Sequence, residues 1–111
     1  MSNFIGVDVG TGSARAGVFS ADGTLLASQK KDIAMWREGA GIAEQSSDDI
    51  WKAVCFCVRA AVKDAGLSGE NIAGIGFDAA CSMVVLDQEM NAISISASGD
   101  PAKNVIVWMD H

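Results

Sequence analysis

Several things are scarce in this chain of 111 residues: it has one proline, Pro101, one histidine, His111, and three cysteines. Half of the residues are apolar and a fifth are charged, which excludes the polar, charge-rich composition of a disordered segment. The length allows one compact domain. No apolar run approaches the roughly 18 to 20 residues of a membrane span, so a membrane is not an expected partner. The opening Met1-Ser2-Asn3-Phe4-Ile5 has no basic stretch ahead of a long apolar one, so no secretory signal is expected. Basic residues are the minority, 8 against 14 acidic, for a net charge of −6. The basic patch of a free-standing nucleic-acid binder is missing, and nucleic acid is not an expected partner either. Cys55-Phe56-Cys57 is too closely spaced for a zinc knuckle. With no secretion signal, Cys55, Cys57 and Cys81 read as reduced thiols of a cytoplasmic protein, the first two as small core residues.

What is present is an ordered alternation of short elements. Residues 4–9 are apolar until Asp8, and read as a buried strand delivering one carboxylate. Gly10-Thr11-Gly12-Ser13 follows as a tight turn, and residues 14–19 as a second strand carrying Arg15. Asp22-Gly23 is a two-residue hairpin signal leading to a third strand over residues 24–29. Residues 32–45 read as irregular. Ser46-Ser47-Asp48-Asp49 has the spacing of a helix cap in its acidic form, and Gly66 is a stop about nineteen residues later. Ile50, Val54, Cys57, Val58, Ala61 and Ala65 share one face, while Phe56 falls among Lys52, Arg59 and Lys63. Further strands are expected over residues 72–77, 82–86, 92–95 and 105–109. Trp36, Trp51 and Trp108 read as core or interface aromatics. One helix of roughly 28 Å covers at most one face of such a sheet. The chain is therefore expected to be the front piece of a larger protein, the alternative being a complete α+β domain that self-associates.

The chemistry concentrates in residues 6–15. Glycines let a phosphate chain approach backbone N–H groups, Thr11 and Ser13 add hydroxyls, and Arg15 adds positive charge. A carboxylate at the strand end, Asp8, suits hydrated Mg²⁺. The segment has no Gly-Lys-Ser/Thr and its turn leads into a strand, so it is neither a Walker loop nor a dinucleotide fingerprint. An ordinary glycine-rich hairpin is the competing reading.

Asp8-Val9-Gly10-Thr11-Gly12-Ser13-Ala14-Arg15 resembles the phosphate motif Asp-x-Gly-Thr-x-Ser-x-Arg of the FGGY carbohydrate kinases. Gly41-Ile42-Ala43-Glu44-Gln45 with Trp51, the run Ile75 to Asp87, and Val105 to His111 with its Trp-x-Asp resemble three further segments of that family, in order along the chain. The resemblance implies an α/β, ribonuclease-H-like mixed sheet with one long helix. Residues 1–111 would be the incomplete N-terminal part of the first kinase domain. It implies ATP and Mg²⁺ as cofactors and transfer of a phosphoryl group to a sugar hydroxyl in the full-length enzyme. Asp8 would hold Mg²⁺ through water, and Gly10, Thr11, Gly12, Ser13 and Arg15 would serve the phosphates. Ala80, Cys81, Ser82 and Asp110 would serve the sugar. The small Cys81–Ser82 pair, where glycerol kinases have Arg-Glu and xylulokinases Met-His, points to a ketopentose such as ribulose. Ala80 departs from the Thr usual in ribulokinase-like relatives and loses a hydroxyl. The catalytic base is implied to lie downstream, leaving this piece inert alone. A homodimer of the full-length protein, a xylulokinase-like or glycerol-kinase-like specificity, and a non-catalytic nucleotide-binding module of the same fold are the alternatives carried forward.

Overall fold

The computed structural model describes residues 2–37, 39 and 41–108. In β1 (Asn3–Val9), Asn3, Ile5 and Val7 are buried while Phe4, Gly6 and Asp8 are exposed, the period-2 pattern of a strand covered on one side. β2 (Ser13–Ser20) pairs antiparallel with β1, and β3 (Leu25–Asp32) antiparallel with β2. At the second turn Gly23 takes φ 89°, and Thr24 N donates to Asp22 Oδ1 at 3.1 Å. Asp22-Gly23 thus performs the turn its residue types demand.

β4 (Glu44–Gln45) is two residues long and leads directly into α1 (Ser47–Asp64). Ser46 is the N-cap, its Oγ accepting from Asp49 N at 3.2 Å. The carboxylate of Asp49 accepts from Ala34 N at 2.8 Å, tying the segment after β3 to the helix start. At the other end Gly66 N donates to Lys63 O and Leu67 N to Val62 O, with Gly66 at φ 72°, the double closure of a Schellman stop. Ala53, Val54, Cys57 and Ala61 of α1 pack with Ile5, Val7, Ala14, Ala16, Val18 and Ile33 in one apolar core. Phe56 stays half exposed, and the ammonium of Lys31 stands 5.2 Å from its ring centre.

β5 (Ile72–Ala79) follows a 3-10 turn at Gly69–Asn71 and runs parallel to β1, giving the order β3-β2-β1-β5. β6 (Met83–Val84) and β7 (Val105–Ile106) join β4 in a second, antiparallel sheet of order β4-β7-β6. The result is a mixed α/β architecture with one long helix, as expected. The late strands are shorter than the sequence implies. Residues 92–95 form no strand, and only a single bridge joins Leu86 to Ala92. Local polar side chains compete with pairing there. Asp87 Oδ1 accepts from Glu89 N and Asn91 N, Ser94 Oγ from Ser96 N, and Ser96 Oγ from Ser98 N. Met109, Asp110 and His111, the end of the expected last strand, lie outside the described residues.

α1 covers one face of the four-stranded sheet. On the other, Gly17, Gly6 and Gly76 stand in register across β2, β1 and β5, so three neighbouring strands present backbone without side chains. An added Cβ at Gly17 would meet Leu25 and Phe19 at 3.1 Å, whereas at Gly76 it would meet nothing within 4 Å.

Candidate functional site

The turn from β1 to β2 is closed by Gly10 N donating to Ser13 O at 2.9 Å. Its next two carbonyls face the protein: Thr11 O accepts from Gln45 Nε2 at 2.6 Å, and Gly12 O from Ile33 N at 3.1 Å. The amides of Thr11 and Gly12 donate to nothing among the described residues. A Cβ at Gly12 would meet no atom within 4 Å, so packing within this chain does not require that glycine. At Gly10 it would sit 3.3 Å from Ser13 O, which gives that glycine a local reason. Thr11 Oγ1 accepts from the indole N–H of Trp108 at 3.0 Å. An oxygen that already accepts from the indole keeps its own proton free to donate elsewhere.

Asp8 sits exposed at the end of β1 with Arg15 and Asp78 as its register partners on either side. The three line an open cavity of about 560 Å³ whose floor is the glycine row Gly17–Gly6–Gly76. Asp78 has no role in the sequence analysis above. Its signal was available: like Asp8, it ends an apolar, glycine-interrupted strand. Two exposed carboxylates on adjacent strands, about 4.8 Å apart as strands, are hard oxygen donors that suit a hydrated magnesium ion. No group of three or more potential metal ligands occurs among the described residues. Ser13 is buried at the start of β2.

The residues assigned to the sugar are placed unevenly. Ala80 N donates to Val9 O at 2.9 Å, so the segment leaving β5 starts beside the phosphate turn. Cys81 is an exposed free thiol. The Oγ of Ser82 is sealed from solvent and finds no hydrogen-bond partner among the described residues, so in this conformation it offers no accessible hydroxyl. Asp110 lies outside the described residues. Of the other cysteines, Cys57 is fully buried and donates to Ala14 O, and burial pushes its thiol pKa up; Cys55 is only half buried. Of the tryptophans, read as core or interface aromatics, Trp36 is partly buried and the other two are not core residues. Trp51 and Trp108 are 63% and 57% exposed because no element of the described chain packs over them.

Three polar residues without an assigned role hold this region together. Asn104 is fully buried; its Oδ1 accepts from Ser47 N at 2.9 Å and its Nδ2 donates to Ser47 Oγ and Val85 O. Gln45 is buried against the phosphate turn, and Glu44 beside it is buried with one carboxylate oxygen unpartnered among the described residues. The only sequence signal for Asn104 is a polar residue directly before an apolar run.

The family model for the N-terminal domain of the FGGY family of carbohydrate kinases matches residues 3–111. A human FGGY carbohydrate kinase domain-containing protein is 44% identical over 108 residues, covering 97% of this chain and 19% of its own length. A D-ribulokinase of Saccharomyces cerevisiae is 44% identical over 111 residues, covering 97% of this chain and 15% of its own. Among solved structures, a xylulose kinase from Rhodospirillum rubrum superposes with a TM-score of 0.79 at 20% identity, over 98% of this chain and 21% of that one. The chain thus spans about a fifth or less of the proteins it matches, and its fold is the actin- and hexokinase-like one of sugar kinases. By its motifs, its sheet order and this match along nearly its whole length, the chain belongs to the FGGY family of carbohydrate kinases.

Proposed function

We propose that this chain is the opening part of the first domain of an ATP-dependent sugar kinase, carrying the phosphate turn and one side of the sugar pocket. The observation that carries the reading is the turn itself: the Thr11 and Gly12 carbonyls face the protein, and among the described residues the Thr11 and Gly12 amides are unpaired and the room beside Gly12 is unused. Such amides, with the Thr11 hydroxyl and Arg15, suit the terminal phosphates of ATP. Asp8, with Asp78 beside it, would hold Mg²⁺ through water, and the ion there supplies neutralising charge to the phosphate oxygens. Phosphoryl transfer depends on positioning and charge stabilisation from both sides of the group transferred, and this chain forms one side. The base that takes the sugar proton is assigned to residues outside it. Two features support a domain continued elsewhere. The glycine-floored face of the sheet is open, and the radius of gyration of 15.9 Å exceeds the roughly 13 Å of a compact chain this long.

The acceptor is a ketopentose such as ribulose. The small Cys81–Ser82 pair, and the 44% identity to a D-ribulokinase, support that choice over glycerol or a sugar alcohol. The test is ADP release by the full-length protein containing this chain, given Mg-ATP and ribulose, xylulose, glycerol or ribitol separately. Ribulose should give the highest kcat/KM, and the 111-residue chain alone should give no sugar-dependent turnover. A preference for glycerol or xylulose would overturn the substrate, and silence with every acceptor would overturn the kinase in favour of a binding module.

A further inference from the structure

A peptide unit is planar and trans, so its C=O and N–H point in opposite directions. At the phosphate turn this converts an inward bond into an outward donor. The Thr11 carbonyl is drawn inward by Gln45 Nε2 at 2.6 Å, and the N–H of the same peptide unit, that of Gly12, is thereby turned outward. The Gly12 amide is one of the two in the turn with no partner among the described residues. Gln45 is well placed to hold that plane. It is 2% exposed, it is paired in register with Val105 of β7, and the next residue caps α1. Its side chain reaches back 34 residues in sequence to a turn that no other described side-chain amide touches.

We propose that Gln45 is a positioning residue for phosphate binding: it sets the Thr11–Gly12 peptide plane and so aims the Gly12 N–H at the phosphate. The proposal rests on the phosphate reading of the turn and assigns a residue to which that reading gave no task. A purely structural role would make Gln45 matter for stability alone. A positioning role makes it matter for the response of one particular amide.

The experiment uses the full-length protein, labelled with ¹⁵N-glycine, and magnesium tripolyphosphate as the probe. The Gly12 signal is identified by its loss in Gly12→Ala. In the unsubstituted protein the Gly12 amide should shift on titration and saturate. In Gln45→Met, similar in length but without a donor, the midpoint should rise about tenfold, the scale of one hydrogen bond to a charged group, with circular dichroism unchanged. Gln45→His, which restores an N–H, should return the midpoint to its original value. Should Gln45→Met not fold, Gln45→Glu, with an acceptor in place of the donor, carries the same expectation. A folded Gln45→Met or Gln45→Glu that titrates like the unsubstituted protein would overturn the proposal, as would a Gly12 amide that never responds. A Gly12 response without ADP release on any sugar would discard the sugar-kinase reading and leave the role of Gln45 intact.

Discussion

The four-stranded sheet is built from strands of seven or eight residues and sealed on one side by α1, whereas the three-stranded sheet is built from strands of two. Different forces hold them. In the first, alternating apolar side chains of β1 and β2 meet the apolar stripe of the helix, and burial at about 25 cal/mol per Å² provides the stabilisation. In the second, a few buried apolar residues, Ala43, Val105 and Val107, are joined by polar ties distant in sequence: Asn104 to Ser47 and Val85, Gln45 to Thr11, Trp108 to Thr11. Hydrophobic cores tolerate approximate fit, while a hydrogen bond demands one atom in one place. The candidate site lies where the polar ties converge on the end of the apolar sheet, so its geometry depends on the less forgiving of the two.

The comparison can be broken most directly in the core. Val18 is fully buried in the middle of β2, and Val18→Ala should cost about 2 kcal/mol in urea unfolding of the full-length protein. That loss should leave the tripolyphosphate response of Gly12 unchanged; a lost response would show that core and site are not separable. Asn104→Ala should come next, at about 1 to 2 kcal/mol, because it leaves the Ser47 amide without a partner and takes one of two donors from the Val85 carbonyl, which keeps Ile93 N. Its signature is local. Hydrogen exchange at Val85 and Ser47 should accelerate while the amides of Ile5 and Val18 keep their protection, and uniform acceleration would contradict the division into two regimes. The smallest effect concerns pH. Asp22 is held below its ordinary pKa of 3.8 by its hydrogen bonds from Ser20 and Thr24, and Asp87 by those from Asn91 and Glu89. A carboxyl whose folded pKa is depressed contributes stability above its unfolded pKa and loses it as pH falls through the folded value. Both turns should therefore hold at pH 5 and loosen only below about 3.8, read from the carboxyl carbon shifts of the two aspartates. Midpoints at or above 3.8 would refute the role of those bonds.

The same division explains what could be read from the sequence. The meander of β1, β2 and β3, the Ser46 cap and the Gly66 stop follow from alternation and from residue types with strong local geometry, so they were legible. The turn from β1 to β2 was legible because Gly10 and Gly12 fall between two apolar runs. The second sheet was legible only in outline. Its pairs join Gln45 to Val105 and Met83 to Ile106, and neither pattern nor propensity specifies which two-residue strand meets which. Asp87, Ser94 and Ser96 satisfy backbone groups locally and shorten what their apolar neighbours would extend. Gln45 was legible only as part of a family-like segment, without a role, and Asn104 not at all. A buried amide announces itself only when its partner, 34 or 57 positions away, is known.

β1 lies between two neighbours that arrive at very different times. On one side is β2, joined to it by a three-residue turn; on the other is β5, whose first residue, Ile72, pairs with Asn3. About forty residues separate the end of β3 from Ile72, and at ribosomal speeds of ~5–20 residues per second they take on the order of 2 to 8 s to emerge. For that interval the nascent hairpin carries a bare edge of unpaired amides and carbonyls, the arrangement that invites pairing with other chains. The exposed edge residues Phe4, Gly6 and Asp8 alternate aromatic, glycine and carboxylate on one face. Asp8, at the tip of that edge, places a charge where stray strands would otherwise stack.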